Sequence, residues 1–435
     1  LWMQASRNWS PDTVLAIRLT MVMLPYMPMV CIVALLGGML QVHGRFGPPA
    51  AAPILLNVIM IGAIYFATDG VRGDDRLREV IVIVAGSVVV AGAAQLAWQV
   101  LAILSHERPT VNFAGTAAPL RAVARTMGPM VIGLAVFQVN ALADSLIAFG
   151  LTARPGGPAT MQLFGQSVAY PIASTGAVTA LTFAQRLYQF PLGVFGIALA
   201  TAIFPALAHA AGDATDAGRA GFARTLRHGL RLTMFIGLPA SAGLILVRVP
   251  LVRVIFEHGD FRLADAHRVA VILTAYASAV WAYSLVHVIT RAFYAKQDAT
   301  TPLRIGVVMV VLNVVLNITL IWVLGAAGLA WSTAICAALQ AVWLLAAAGR
   351  HVDRPIDGAV IRGWARTGAA TVAMVIALLA ISGLIDHDTA TWARAAGALV
   401  VMVAVGGGVY ALAARLLGCE ELRWLLHRRV GDDAR

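Results

Sequence analysis

The sequence predicts an all-α polytopic membrane protein, and three observations carry that expectation. Of 435 residues, 60% are hydrophobic and 12% charged, with a mean hydropathy of +0.81. A soluble domain carries about 25% charged residues, so this chain lacks the polar surface a water-soluble globule needs. Several apolar stretches reach the length of about 20 residues that a helix needs to cross the hydrocarbon core. Nothing alternates apolar and polar in the manner of barrel strands. The same composition excludes a disordered chain and a disulfide-stapled secreted scaffold. Cys31, Cys336 and Cys419 lie in or beside apolar stretches, without metal-like spacing.

By the length rule there are about eleven spans. They run near 14–42, 49–68, 79–104, 122–151, 174–209, 229–256, 267–295, 302–324, 326–349, 365–385 and 392–417. Gly44-Arg45-Phe46-Gly47-Pro48 parts the first two, and the polar run 69–79 parts the second from the third. Pro191 removes a hydrogen bond inside the fifth span and invites a kink there. Gly406-Gly407-Gly408 in the last span permits close helix approach or a bend. The tail RWLLHRRVGDDAR is basic and partly amphipathic, which places it on an anionic membrane surface.

Basic residues set the orientation. Twenty of the 32 fall on one side of these spans, Arg219, Arg224, Arg227 and Arg231 among them, and eleven fall on the other. Arg186 alone lies inside a span. The richer side is expected to be cytoplasmic, and with it the C-terminus. The bases serve topology, so the net charge of +11 does not indicate a nucleic-acid partner.

A parallel internal repeat organises the spans. Pro48 and Asn57, followed by Gln95, match Pro302 and Asn313, followed by Gln340, at offsets of 254, 256 and 245. Spans four to nine then form a complete six-helix lobe, and spans one to three are the second half of another. The expected domains are 1–118, the remainder of an N-terminal lobe with three helices, and 119–350, the C-terminal six-helix lobe. Two extra C-terminal helices follow over 351–417, then a basic cytoplasmic tail over 418–435. On this reading the first lobe lacks its opening three helices, and the 435-residue chain is expected to be inactive by itself. Parallel repeats are a transporter plan, with the binding site between the repeats.

Two groups of residues stand out within the spans. Arg186, in LTFAQRLYQFPLGVFGIALA, lies far from either span end, where a lone cation is costly. Flanked by Gln185, Tyr188 and Gln189, it suits an anionic substrate in a bundle interior, or else it snorkels or caps carbonyls on a neighbouring helix. Asp144 is the clearest acid within a span, with Asn140 one turn before it. Asn313 and Asn317 repeat the i, i+4 spacing, and Ser332 and Thr333 supply hydroxyls. Such oxygens hold a small cation or a proton, or act as interhelical hydrogen-bonding glue. Histidines and acids form no catalytic or metal-binding motif, so an enzyme is not expected.

RLYQFPLGVFGIALATAIFPALA and RAFYAKQDATTP closely resemble the two most distinctive stretches of the MurJ (MviN) lipid II flippases. LLGGMLQVHGRFGPPAAAPILLN and MGPMVIGLAVFQVNALADSLIA resemble the same family, in the same order. The resemblance implies the two-lobe fold of the multidrug/oligosaccharidyl-lipid/polysaccharide exporter superfamily, with these eleven spans as helices 4–14 of 14. It implies translocation of undecaprenyl-pyrophosphate-linked peptidoglycan precursor across the bacterial inner membrane by alternating access, in support of cell-wall biogenesis and cell shape. Arg186 then matches a cavity arginine that meets the pyrophosphate, with Gln185, Gln189 and Asn140 as polar neighbours. Asp144, Asn313, Asn317 and Thr333 fall where a coupling cation such as sodium would bind, and membrane potential is the other driving force. Implied partners are lipid II, membrane lipids and cell-wall synthases, and no organic cofactor is implied. The alternatives are an exporter of another lipid-linked glycan, a drug/cation antiporter of the superfamily, or a non-transporting scaffold.

Overall fold

The computed structural model describes residues 11–42, 45, 47–68, 74–105, 120–121, 138, 140–153, 160–163, 166–172, 176–383 and 391–426. Among these residues, nine helices are long and apolar enough to cross a membrane, and a bent helix pair makes a tenth. The remaining expected span, 122–151, lies outside the described residues in its first part, and residues 140–150 of it are helical. Large apolar side chains such as Phe66 and Val323 face outward, as lipid-facing positions do. The protein is a multi-pass membrane protein.

The chain forms two compact units, Leu1–Leu120 and Arg121–Arg435. In the first, α1 (Pro11–Met23) and α2 (Tyr26–Val42) make one span, followed by α3 (Gly47–Ala67) and α4 (Asp74–Leu104). Pro48 and Pro49 sit in the first turn of α3, where a missing N–H leaves no helical bond unmade. Gly92 lets α2 press onto α4, since a Cβ there would lie 2.6 Å from the Tyr26 ring. Gln95 Nε2 donates to Ala52 O at 2.6 Å.

The second unit contains a β-hairpin, β1 (Thr160–Leu163) with β2 (Gln166–Ala169), and then helices. These are α5 (Ala177–Pro191), a π-helical turn (Leu192–Ile197), α6 (Ala198–Gly212), α7 (Asp216–Leu246), α8 (Arg248–Phe256), α9 (Leu263–Ala277) and α10 (Val280–Ala295). After them come α11 (Thr300–Leu324), α12 (Ala326–Ala348), α13 (Gly358–Ser382), α14 (Trp392–Leu416) and the short α15 (Glu420–Leu426). Gln340, buried on α12, lies 4.0 Å by its Nε2 from where a Cβ of Gly306 on α11 would stand.

Three span boundaries differ from the hydropathy reading. The sixth span does not run over 229–256. Thr215 caps a helix that starts thirteen residues earlier, accepting from Gly218 N at 3.1 Å, and the helix ends at Leu246 before α8 begins. A hydropathy window sees only the apolar part of such a helix and misses its arginine-bearing first turns. The seventh span is broken by 41° between α9 and α10, at Ser278–Ala279. The tenth begins at Gly358, where the Asp357 carboxylate caps the N–H groups of Ala359 and Val360.

Gly328 fixes the α11–α12 hairpin. A Cβ there would lie 2.5 Å from Leu320 O and 2.6 Å from its carbonyl carbon, and backbone cannot yield as a side-chain tip can. Gly328→Ala is expected to cost about 1–3 kcal/mol by overpacking, read as a lowered Tm of the purified protein. An unchanged Tm would mean that the hairpin opens freely.

At the end where α7 begins, two of its arginines tie down distant chain. Arg227 donates to Asp353 O at 2.7 Å and Arg354 O at 2.9 Å, and pairs with Asp357 at 3.3 Å. Arg231 pairs with Glu420 at 2.8 Å and Glu421 at 2.6 Å. Trp424 lies under the Arg231 guanidinium and stacks on His228 at 3.8 Å. The tail's first part is thus packed on α7; residues 427–435 are outside the described ones. Of the run Gly406-Gly407-Gly408 in α14, Gly406 makes the close approach, to Leu378 of α13.

Asp298 anchors the α10–α11 connection at the same unit's surface. Partial burial raises its pKa, but the Thr301 N–H and hydroxyl, at 3.0 and 2.8 Å, and His351 Nε2 at 3.1 Å together hold it below the usual carboxylate range. A depressed folded value contributes stability that is complete above an unfolded aspartate's pKa of about 3.9 and is lost as pH falls through the folded value. The Tm advantage of the wild type over Asp298→Asn is therefore expected to hold from pH 7 to 5 and to shrink below about pH 4. A gap constant down to pH 3 would contradict it.

Candidate functional site

The amphipathic pattern of α5 decides where Arg186 points. Ala177, Ala180, Leu181, Ala184, Leu187 and Tyr188 are buried on one face, while Thr182, Arg186, Gln189 and Phe190 are exposed on the other. Arg186 makes no hydrogen bond or ion pair among the described residues. A guanidinium so far inside an apolar span, with five donors unused, calls for an anion or for water. Gln185 turns the other way and donates to the Tyr276 hydroxyl at 3.1 Å. Gln189 shares the exposed face of Arg186.

Pro191 shapes the helix beyond this face. The expected kink takes the form of the π turn Leu192–Ile197, a wider winding that commonly marks functional positions. Gly196 seats the turn against α10, since a Cβ would fall 2.7 Å from Ser284 Oγ.

The second group of residues meets in the interior. Asn317 Nδ2 donates to Asp144 Oδ1 at 2.5 Å, and Ser332 Oγ donates to Asn317 Oδ1. The Asn313 amide oxygen accepts from Asn317 Nδ2 at 2.9 Å. Swapping the two ends of the Asn313 amide instead brings a donor 3.2 Å from Asp144 and 3.0 Å from Asn140 Oδ1, while its oxygen accepts from Thr333 N and Oγ1. Asp144, Asn313, Asn317 and Ser332 are all buried. One carboxylate, the amides of Asn140, Asn313 and Asn317 and the hydroxyls of Ser332 and Thr333 come together, with a single negative charge among them. Amide nitrogens face Asp144 in this arrangement. A half-turn of either asparagine, which exchanges nearly isosteric groups, presents oxygens in their place, so the residues fit a monovalent cation. No cluster of three or more His, Cys, Asp and Glu occurs among the described residues, which is unfavourable for a transition-metal reading.

The sequence reading did not single out the aromatic residues between these two groups. Tyr188 of α5 stacks on Tyr276 at 4.9 Å and on Tyr283 at 5.2 Å. Tyrosines within apolar spans carry no distinctive pattern, and only the three-dimensional packing reveals them. Their one sequence signal was Tyr188, flagged as a neighbour of Arg186.

The family model described as lipid II flippase MurJ matches residues 2–403. A probable lipid II flippase MurJ of Vibrio cholerae is 32% identical over 327 residues, covering 75% of this chain and 56% of that protein. Another, of Haemophilus influenzae, is 28% identical over 332 residues, covering 74% and 58%. The chain thus spans a little over half the length of these relatives. A solved structure titled lipid II flippase MurJ, inward closed conformation, superposes with a TM-score of 0.73 at 19% identity, over 96% of this chain and 77% of that one, and the likeness is one of fold. With a family match running over nearly its whole length, the chain belongs to the MurJ family of lipid II flippases.

Proposed function

We propose that the protein translocates lipid II, the undecaprenyl-pyrophosphate-linked peptidoglycan precursor, from the inner to the outer leaflet of the bacterial inner membrane. Beyond family membership, the observation that carries this reading is Arg186, an unpaired guanidinium on the exposed face of an apolar helix. A diphosphate head cannot cross hydrocarbon unaided, and a cation held within the span offsets its desolvation while the polyprenyl tail stays in lipid. Arg186 meets the pyrophosphate, and Gln189 on the same exposed face contributes a polar contact; Gln185 and Asn140, which face Tyr276 and Asn313, lie outside this contact. Access alternates by rocking of the two repeats, and cell-wall synthases use the delivered precursor. The C-terminus is cytoplasmic, in keeping with the excess of basic residues on that side.

Asp144, Asn313, Asn317 and Thr333 hold a monovalent cation, sodium being the natural candidate. Its occupancy, or the membrane potential acting on charged groups within the spans, biases inward against outward states. This part of the reading rests on a single buried carboxylate surrounded by amide and hydroxyl side chains that can turn oxygens toward it.

The anion-binding role is tested by binding undecaprenyl pyrophosphate to the protein in nanodiscs, beside undecaprenol as the uncharged control. A charge-assisted hydrogen bond contributes about 1.5–3 kcal/mol, so Arg186→Ala is expected to raise the pyrophosphate Kd by about 10- to 100-fold and leave undecaprenol unaffected. Equal loss for both lipids would make Arg186 structural.

A further inference from the structure

The three stacked tyrosines occupy a position that neither functional group explains by itself. Tyr276 ends α9 and Tyr283 begins α10, so the two flank the 41° break at Ser278–Ala279. Tyr188 stacks on both, and it lies four residues before the π turn of its own span. Tyr276 is fully buried and receives the hydrogen bond of Gln185, the neighbour of Arg186. The Tyr283 hydroxyl is buried without a partner.

The packing runs from the cation cluster to these rings without a gap. Tyr188 and Tyr276 share one core cluster with Ala148 of the Asp144 helix, Ile321 of α11 and Leu329 of α12. α12, which carries Ser332 and Thr333, packs directly on α9, and α9 packs on α5. The Asp144 carboxyl is near enough to act electrostatically on all three tyrosines.

We propose that the Tyr188–Tyr276–Tyr283 stack couples occupancy of the Asp144 cluster to the placement of Arg186, with the Gln185–Tyr276 hydrogen bond as its adjustable joint. Tyr276 is on this view a positioning residue. A cation at Asp144 displaces the Asn317 N–H donor, and a turned Asn317 amide loses the oxygen that accepts from Ser332 of α12, the helix that packs on α9. Stacked rings are stiff, so a shift at the α9–α10 break passes to Tyr188 and turns α5. The inference rests on the cation reading above, and its test separates the two.

The measurement is the Kd of undecaprenyl pyrophosphate in nanodiscs, in sodium chloride and in choline chloride at equal ionic strength, for wild type, Tyr276→Phe, Tyr283→Phe and Asp144→Asn. Coupling between two sites is reciprocal, and about a tenfold sodium effect on Kd is expected in the wild type. Tyr276→Phe keeps the ring and loses the joint: its Kd in choline stays within about twofold of wild type, while its sodium effect falls below about twofold. Tyr283→Phe removes a hydroxyl that bonds nothing and retains the sodium effect; Asp144→Asn abolishes it. A full sodium effect in Tyr276→Phe overturns the coupling role and leaves the cation site standing. Equal weakening in both salts makes Tyr276 structural and overturns it too. A wild type indifferent to sodium removes the cation site and the coupling with it.

Discussion

Arg186→Ala, expressed at wild-type abundance, is expected to fail entirely to rescue a bacterium depleted of its own lipid II flippase. The guanidinium sits ten residues into α5 on the exposed face, unpaired among the described residues, next to an apolar Phe190. In the proposed role, a doubly charged head group replaces the water that the guanidinium loses. Removing it leaves the pyrophosphate to enter a low-dielectric region without a counter-charge, which costs more than the binding contacts can offset. Arg186→Lys keeps the charge but loses the planar fork that matches phosphate oxygens, and intermediate rescue is expected. Rescue by Arg186→Ala at wild-type rate would reduce this residue to a snorkelling or capping role.

The largest stability effect is expected at Arg231. Glu421 is 1% exposed, with one oxygen bound to Arg231 and the other without a partner. Taking away the guanidinium strands a buried carboxylate, at a cost of about 3–5 kcal/mol when no relief is available. Relief is available here, because α15 is only seven residues long and can leave α7, exposing Glu421 to water. Arg231→Ala is therefore expected to undock α15, read as fast hydrogen exchange over 420–426 and quicker proteolysis there, with a smaller fall in global Tm. Arg231→Met with Glu421→Leu, which removes both charges and refills the space, is expected to restore protection. A docked α15 in Arg231→Ala would show that Trp424 and the apolar contacts suffice.

Much of the candidate site was legible because polar groups inside apolar spans must find one another. Asn313 and Asn317 share a helix face by spacing, Asp144 and Asn140 do likewise, and the structure brings all four together with Thr333. The unpaired face of Arg186 followed from the same periodicity, and Pro191 announced a disturbance of the fifth span. Other features left no local trace. Arg231 and Glu421 are 190 residues apart, and neither looks special in a basic turn or an acidic one. The α9–α10 break falls in Ala275-Tyr276-Ala277-Ser278-Ala279, without the proline or glycine that signals a kink. The early start of α7 depends on Thr215 as a cap, and charged first turns are read as loop by any rule based on hydropathy alone. Gln185 was grouped with Arg186 by adjacency, whereas a helix turns neighbouring residues about 100° apart and gives Gln185 to Tyr276.

The central claim is translocation, and externally accessible lipid II measures it most directly. In cells depleted of their own flippase, expression of the wild-type gene is expected to restore lipid II accessible to an enzyme that works only at the outer face. Arg186→Ala at equal abundance is expected to leave it at the depleted level. Restoration by both proteins, or by neither when the wild type is well expressed, would contradict the account.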